Sequence, residues 1–163
     1  MLEQPSLELR AWTQADGPDG RVRALWAGGE QVGLVRQAPL PAPAWLGWLA
    51  RRMLHVYELP DNSLVFVLRR AWGWPGRWHL FDAEERLVGT LRGRAIFDGS
   101  GNLLGVIESP DERGRGRFLA MHRRELGEYV LEGEGLRMTF APEVEGNPFA
   151  RMLLLGAALV QDV

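Results

Sequence analysis

Short apolar runs separated by turn-forming residues recur along most of this chain. Each run alternates hydrophobic and polar positions and is bounded by Gly, Asp, Asn or Pro, which is the pattern of half-buried strands. The predicted strands lie near Leu7–Thr13, Arg21–Trp26, Gln31–Arg36, Leu54–Leu59, Ser63–Arg70, Arg77–Phe81, Leu87–Leu91, Arg94–Phe97, Leu103–Glu108, Gly116–His122, Glu128–Leu131 and Leu136–Phe140. About twelve short strands at this spacing are typical of a β-sandwich or a β-barrel.

An internal repeat supports hairpin pairing of these strands. Segments 79–91 and 95–107 both contain Phe-Asp, four turn-forming residues, two aliphatic residues, Gly and another aliphatic residue, and 25–35 is a fainter copy. The Asp can bond to its own backbone and so begin the turn. Gly33, Gly89 and Gly105 fall inside the return strands, where Gly is typical of a bulge or a close backbone approach. Repeated bends of this kind allow a sheet to curl and close.

The C-terminal segment has a different pattern, which predicts a buried helix. Asn147 is a favourable cap, Pro148 suits the first helical turn, and Arg151 is the one charged residue between 149 and 160. A helix that is apolar on all sides must be buried on all sides. Because the run is well short of the roughly 20 residues that span a bilayer, we expect a helix threaded through a barrel.

A short amphipathic helix is also predicted near residues 43–54. It follows the Pro-rich connection Pro39–Pro43, and its apolar residues have helical spacing. The apolar positions are Trp45, Leu46, Trp48, Leu49, Met53 and Leu54. This helix is interpreted as a plug over one end of the barrel, with a membrane-surface helix as the alternative.

Three of the predicted strand segments resemble the phospholipid scramblase and LURP-one-related family. These are Ser63–Arg70, Trp78–Asp82 and Leu87–Leu91, and the likeness extends from about Leu54 to Val163. The resemblance implies the Tubby C-terminal fold, a mainly-β, closed, twelve-stranded antiparallel β-barrel around a buried hydrophobic C-terminal helix. We therefore expect one domain of this kind over residues 1–163.

The resemblance implies little about function. Members of these families are associated with lipid movement and calcium, with plant defence, or with phosphoinositide binding on a basic surface. This chain has no Cys-rich membrane segment, which argues against lipid scrambling. It also has no match to the Tubby lipid-contact pattern, so no binding residues are transferred.

Composition excludes several kinds of chemistry. The chain has no cysteine, so disulfides, thiol catalysis and cysteine-ligated metals are excluded. The formal net charge is −2, so binding to nucleic acid is not expected and binding to anionic lipid requires a local patch. All 19 Lys and Arg positions are Arg. No secretory leader or transmembrane segment is predicted, and we expect a cytoplasmic location, peripheral to the membrane if lipid is bound.

No catalytic or metal-binding pattern emerges, and we expect neither enzyme activity nor a cofactor. Asp98, Ser100 and Asn102 have the spacing of the first calcium ligands in an EF-hand loop. Leu103 and Ser109, however, stand where that loop requires Gly and Glu. A hairpin turn explains the Asp better. His55, His79 and His122 are far apart in the chain and are interpreted as ordinary polar or packing residues.

The strongest candidate for ligand binding is the loop around residues 69–78. We select Arg69, Arg70, Trp72, Trp74 and Arg77 as a patch for anionic phospholipid or a protein partner, because Arg and Trp favour interfaces. The alternative is that Trp72 and Trp78 pack beneath the loop while the arginines are solvated. A second basic turn, Arg113–Arg117, is interpreted as a solvated hairpin tip, with phosphate or RNA binding as alternatives.

Three functional hypotheses follow. The first is a non-enzymatic module that contacts anionic phospholipid at a membrane surface. The second is a protein-interaction module with a flat apolar patch, which Trp45 and Trp48 could supply. The third is an enzyme whose site at one end of the barrel brings His79 or His122 together with carboxylates.

Overall fold

The computed structural model describes residues 1–14, 20–39, 52–71 and 76–161. Every described strand belongs to one antiparallel sheet. The strands are β1 (Ser6–Leu9), β2 (Thr13–Gln14), β3 (Arg21–Ala27), β4 (Glu30–Pro39), β5 (Arg52–Glu58), β6 (Ser63–Arg70), β7 (Arg77–Asp82), β8 (Leu87–Arg92), β9 (Ala95–Asp98), β10 (Leu103–Ile107), β11 (Arg115–Leu119), β12 (Glu125–Glu132) and β13 (Gly135–Phe140).

The sheet closes into a twelve-stranded barrel. Each strand from β3 to β13 pairs with the next one along the chain, and β1 joins β13 to β3. β2 pairs with the other half of the same edge of β3, so β1 and β2 together fill one strand position. The predicted fold is therefore confirmed. Each of the twelve predicted strands is present, and the one predicted over Leu7–Thr13 is interrupted between β1 and β2.

Bulges recur at one end of the barrel and give it curvature. The register shifts by one residue in five of the pairings, each time beside the turn of a hairpin. Directly after the bulge, Gly33, Gly89, Gly105 and Gly127 lie opposite a residue of the preceding strand. A Cβ at Gly105 would lie 2.5 Å from the Leu119 carbonyl oxygen, so the neighbouring strand crosses close to this backbone. The bend predicted from the repeated glycines is confirmed.

The barrel encloses α1 (Pro148–Gln161), as the apolar C-terminal run predicts. The Asn147 Oδ1 accepts a hydrogen bond from the Ala150 amide at 3.0 Å, which is the expected cap. Leu154 and Leu155 are fully buried, and the helix joins the core cluster formed by the inward residues of the strands. At Gly156, a Cβ would lie 2.8 Å from the Leu80 Cδ1, so small residues let the helix approach the barrel wall.

Two buried arginines connect separate parts of the main chain. Arg151 of α1 donates to the carbonyls of Leu2, Gln4 and Val144, which ties the N-terminal segment to the start of the helix. Arg23 of β3 donates to the carbonyls of Arg10 and Glu134. It thereby bridges the place where β1 ends and β2 begins.

The short helix predicted near residues 43–54 lies largely outside the described residues. The part that is described, Arg52 to Leu54, belongs to strand β5, so the helix prediction is wrong for these residues. Leu54 is fully buried and lies between Gln37 of β4 and Leu68 of β6. The pairing on both sides therefore overrides the helical spacing of the apolar residues.

Candidate ligand-binding face

One outer surface of the barrel carries most of the cationic side chains of strands β4 to β8. Because Val35, Leu54, Leu68, Leu80 and Leu91 face the core, their chain neighbours project outward. We call this surface the arginine face, and it consists of Arg36, His55, Arg69, Arg77, His79 and Arg92.

Strand register brings these residues together. Arg36 pairs with His55, Arg69 pairs with His79, and Arg77 pairs with Arg92. Side chains directly opposite each other on one face of an antiparallel pair lie about 4.5–5.5 Å apart at Cβ. The face therefore brings together residues that span more than fifty positions of the sequence.

Aromatic rings support Arg36, Arg69 and Arg92. The guanidinium carbon of Arg69 lies 4.9 Å from the centre of the Phe81 ring. The corresponding distances are 4.9 Å from Arg92 to Phe97 and 5.2 Å from Arg36 to Tyr57. Each contact of this kind contributes about 0.5–1 kcal/mol at an exposed site. The rings hold the guanidinium groups over the sheet, where they can contact a flat surface or a planar ligand.

The two histidines are kept neutral by this setting. Burial lowers the pKa of His55, and the positive charges of Arg69 and Arg36 lower it further. The pKa of His79 is lowered in the same way, by burial and then by Arg77 and Arg92. The Thr90 hydroxyl lies 3.3 Å from the His79 Nδ1. At neutral pH the positive charge of the face therefore comes from arginine.

Arg69 has an internal anion as its partner. Its Nη2 lies 2.7 Å from the Oε1 of Glu85, in the turn between β7 and β8. Its Nε is buried and has no hydrogen-bond partner among the described residues. Arg69 thus contacts the carboxylate through one nitrogen, whereas an Arg–carboxylate pair is frequently bidentate.

The residues selected from the sequence have different positions in the structure. Arg69 and Arg77 lie on the arginine face. Arg70 pairs with Trp78, so it has the opposite orientation at the end of β6. Trp72 and Trp74 lie outside the described residues. Trp78 is 5% exposed and belongs to the core, as the packing alternative for this residue predicts.

Sequence reasoning missed Arg36, His55 and Arg92. Each lies within a strand or directly at its end, outside the segment 69–78 that the sequence analysis selected. The alternation of the predicted strands already placed Arg36 and His55 beside inward-facing Val35 and Leu54, so their outward orientation could have been inferred. Their proximity to Arg69 and Arg77 requires the strand order and register as well.

The aspartates of the repeat have the structural role that the sequence predicts. The Asp98 Oδ1 accepts hydrogen bonds from the amides of Ser100 and Asn102 at 2.9 and 2.8 Å. These bonds, first of all from the Asn102 amide, lower the pKa of Asp98. The hairpin interpretation is confirmed. Over the four described ranges, no group of three or more His, Cys, Asp or Glu side chains is arranged to hold a metal ion.

The second basic turn is also a hairpin tip. Asp111 accepts hydrogen bonds from the amides of Arg113 and Arg115, both at 2.9 Å. Arg113, Arg115 and Arg117 are exposed, and Arg117 forms an ion pair with Glu108 at 2.9 Å. A cleft beside the turn is lined by Arg115 and Arg117 together with Glu108, Glu125 and Glu128. This surface therefore carries both signs of charge.

Comparison with known proteins identifies the fold and goes no further. No family model matches the chain, and no curated protein matches it. Its structure is similar to an X-ray structure of a protein from Arabidopsis thaliana, with a TM-score of 0.60 and 12% sequence identity. The match covers 98% of this chain and 91% of the plant protein. At this identity the similarity establishes a shared closed antiparallel β-barrel around a helix.

Among the residues that the structure describes, no helix is both long enough and apolar enough to cross a bilayer.

Proposed function

We propose that this protein is a non-enzymatic binding module that contacts anionic phospholipid at a membrane surface through its arginine face. The observation that carries the proposal is the convergence of Arg36, Arg69, Arg77 and Arg92 on one side of a barrel whose whole chain has a net charge of −2. These side chains create a local attraction that the net charge conceals, and the Glu85 carboxylate beside Arg69 offsets part of it. The resemblance to the scramblase and LURP-one-related family agrees with a role at lipid.

Electrostatics favour a membrane over a small pocket ligand. A Lys or Arg held near an anionic leaflet contributes roughly 1 kcal/mol to binding, and this contribution decreases within a Debye length of the surface. Phe81 and Phe97 lie beneath the guanidinium groups and keep them spread over the sheet. A spread set of cations suits many lipid headgroups in one plane. The proposal therefore requires binding that depends on salt and on the anionic lipid fraction.

The test is co-sedimentation with vesicles of phosphatidylcholine alone or with added phosphatidylserine, at low and high salt. We expect binding to the anionic vesicles only, with loss of binding at high salt. The double variant Arg77→Gln/Arg92→Gln should bind at least roughly tenfold more weakly, given about 1 kcal/mol per arginine. Trp72→Ala/Trp74→Ala tests whether the adjoining loop inserts at the interface.

The matched control is Arg137→Gln. Arg137 is also exposed on the barrel exterior and forms ion pairs with Glu8 and Glu132. The substitution Arg137→Gln removes one positive charge outside the arginine face and should change binding to the vesicles little. Equal weakening by Arg137→Gln, equal binding to neutral vesicles or no binding at all would contradict the proposal. Complete absence of binding would favour the protein-partner hypothesis.

A further inference from the structure

Three hairpin loops in this barrel have the same geometry. In each, an Asp begins the loop, accepts amide hydrogen bonds from the residues two and four positions later, and accepts a main-chain bond from the residue three positions later. That third residue has a positive φ in every loop. It is Gly101 after Asp98 and Gly114 after Asp111, but Glu85 after Asp82.

Glu85 therefore stands where the other two loops use glycine. A non-glycine residue with φ of 61° is uncommon and disfavoured, because its Cβ crowds the following carbonyl. The position directs the Glu85 side chain to the guanidinium group of Arg69, at 2.7 Å. Neither Gly101 nor Gly114 could supply such a carboxylate.

The contact leaves Arg69 incompletely satisfied. Glu85 takes one N–H of Nη2, while the buried Nε–H has no partner within the described ranges. The guanidinium group also stacks on Phe81 and lies opposite His79 on the neighbouring strand. Because this Nε–H is buried, an anion with several acceptor oxygens would take both the Nε–H and the Nη2–H once the Arg69 side chain turns towards solvent, in the usual fork geometry of arginine with phosphate.

We propose that Arg69 is the residue of the arginine face that binds a lipid phosphate. In this proposal Glu85 competes for the Arg69 guanidinium group, and the phosphate displaces it. This inference rests on the proposed lipid-binding function. Glu85 is 75% exposed, so its side chain can move into solvent without disturbing the core. Exposed ion pairs contribute little to stability, so the exchange of one anion for another costs the fold little. No covalent step is involved.

Glu85 has a second consequence for selectivity. A single carboxylate weakens the attraction of Arg69 for any isolated anion, since the anion must replace it. A membrane presents many headgroups to Arg36, Arg77 and Arg92 at the same time, so binding at those residues raises the local concentration of phosphate at Arg69. The competitor therefore favours an anionic surface over a dilute soluble anion.

The test compares Glu85→Gln with Glu84→Gln on phosphatidylserine-containing vesicles. Glu84 is the neighbouring carboxylate in the same turn and pairs with Arg86 rather than Arg69, at 3.0 Å. Both variants remove one negative charge, so the difference between them isolates the contact with Arg69. We expect Glu85→Gln to bind roughly two- to fivefold more tightly than Glu84→Gln, the size expected for one exposed ion pair.

Arg69→Gln supplies the second arm. In this background the substitution Glu85→Gln should give no gain beyond that of Glu84→Gln, because the guanidinium group that Glu85 contacts has been removed.

A titration with inorganic phosphate, followed by NMR through the Arg69 Nε–H resonance, should shift that signal more in Glu85→Gln than in the unaltered protein. A phosphate response without any vesicle binding would overturn the lipid source and point to a soluble phosphate ligand.

The outcomes separate the two proposals. If the unaltered protein binds anionic vesicles but Glu85→Gln and Glu84→Gln behave alike, the competitor role of Glu85 is wrong and the lipid-binding function stands. If neither the unaltered protein nor Glu85→Gln binds vesicles of any composition, the lipid-binding function itself is wrong.

Discussion

Arginine has two structural roles in this chain, according to whether its side chain is enclosed. Arg23 and Arg151 are buried and donate to main-chain carbonyls. Arg36, Arg69 and Arg92 project outward and stack on aromatic rings. The abundance of arginine in the sequence did not distinguish these roles. For the arginines of the strands, the alternation of inward and outward positions distinguishes the two roles.

The histidines of the arginine face should make folding sensitive to mild acid. Their pKa values are lower in the folded protein than the ordinary value of 6.5, so the folded state resists protonation. The stabilisation is complete above the pKa of the unfolded chain and is lost as the pH falls through the lower, folded values. We expect a lower Tm at pH 5.5 than at pH 7.5. Thermal unfolding followed by circular dichroism at the two pH values measures this difference in Tm.

The variant His55→Gln/His79→Gln identifies the source of this pH dependence. It should show a smaller difference in Tm between the two pH values, because both titrating groups have been removed. The carboxylates of Asp82, Asp98 and Asp111 also have lowered pKa values, but their effect belongs to more acidic solutions, below about pH 4. An unchanged pH dependence in the double variant would show that other groups cause it.

At the scale of elements, the repeated hairpin is the unit from which the barrel is built. A turn aspartate begins the loop in the copies at Asp82 and Asp98. In every copy the return strand has a bulge, and the residue after the bulge lies against the preceding strand. Three copies can be recognised in the sequence from their glycines. The structure adds two more bulged hairpins, with Phe66 and Gly127 at the equivalent position. The Phe66 copy could not be recognised, since a large core residue replaces the glycine.

Gly89 offers a direct test of this unit. A Cβ there would collide with the Phe97 carbonyl oxygen and lie 2.7 Å from the Leu153 Cδ2 of the central helix. Gly89→Ala should therefore lower the free energy of unfolding by about 1–3 kcal/mol, as overpacking does. Urea denaturation provides the measurement. Leu87→Ala, at the 44% exposed start of the same strand, is the control and should cost less than about 1 kcal/mol.

Most of the fold could be predicted from local patterns, whereas most of the candidate site could not. Twelve strands and a buried helix follow from alternation, turn residues and one apolar run. The arginine face depends on which strands are neighbours and on their register, and neither can be read from a local pattern. The role of Glu85 depends in addition on a backbone angle that its neighbours in sequence do not reveal.

At the scale of the whole molecule, Arg151 connects parts of the chain that are distant in sequence. It lies in the first turn of α1, is 7% exposed, and donates to the Leu2, Gln4 and Val144 carbonyls. The pattern of the sequence marked it as the one charge in an apolar run. Its position explains why the helix tolerates it, because three carbonyls surround the guanidinium group at one end of the barrel.

Arg151→Met should destabilise the end of the barrel at which α1 begins. The substitution preserves much of the side-chain volume but leaves three carbonyls without this donor, which costs about 2–4 kcal/mol in the free energy of unfolding. Chemical denaturation measures the loss, and hydrogen exchange should show faster exchange at Gln4. Arg137→Met, on the exposed exterior, should change the stability by less than about 0.5 kcal/mol. A similar effect of both variants would contradict this role.

The central helix also has a consequence for the order in which the protein is made. Residues 148–161 follow all the strands that the structure describes, yet they supply the apolar centre that the inward faces of those strands need. During translation the strands leave the ribosome before the helix that they enclose. A nascent chain interrupted before Pro148 therefore displays an uncovered hydrophobic sheet, and we expect it to depend on chaperones until residues 148–161 have been made.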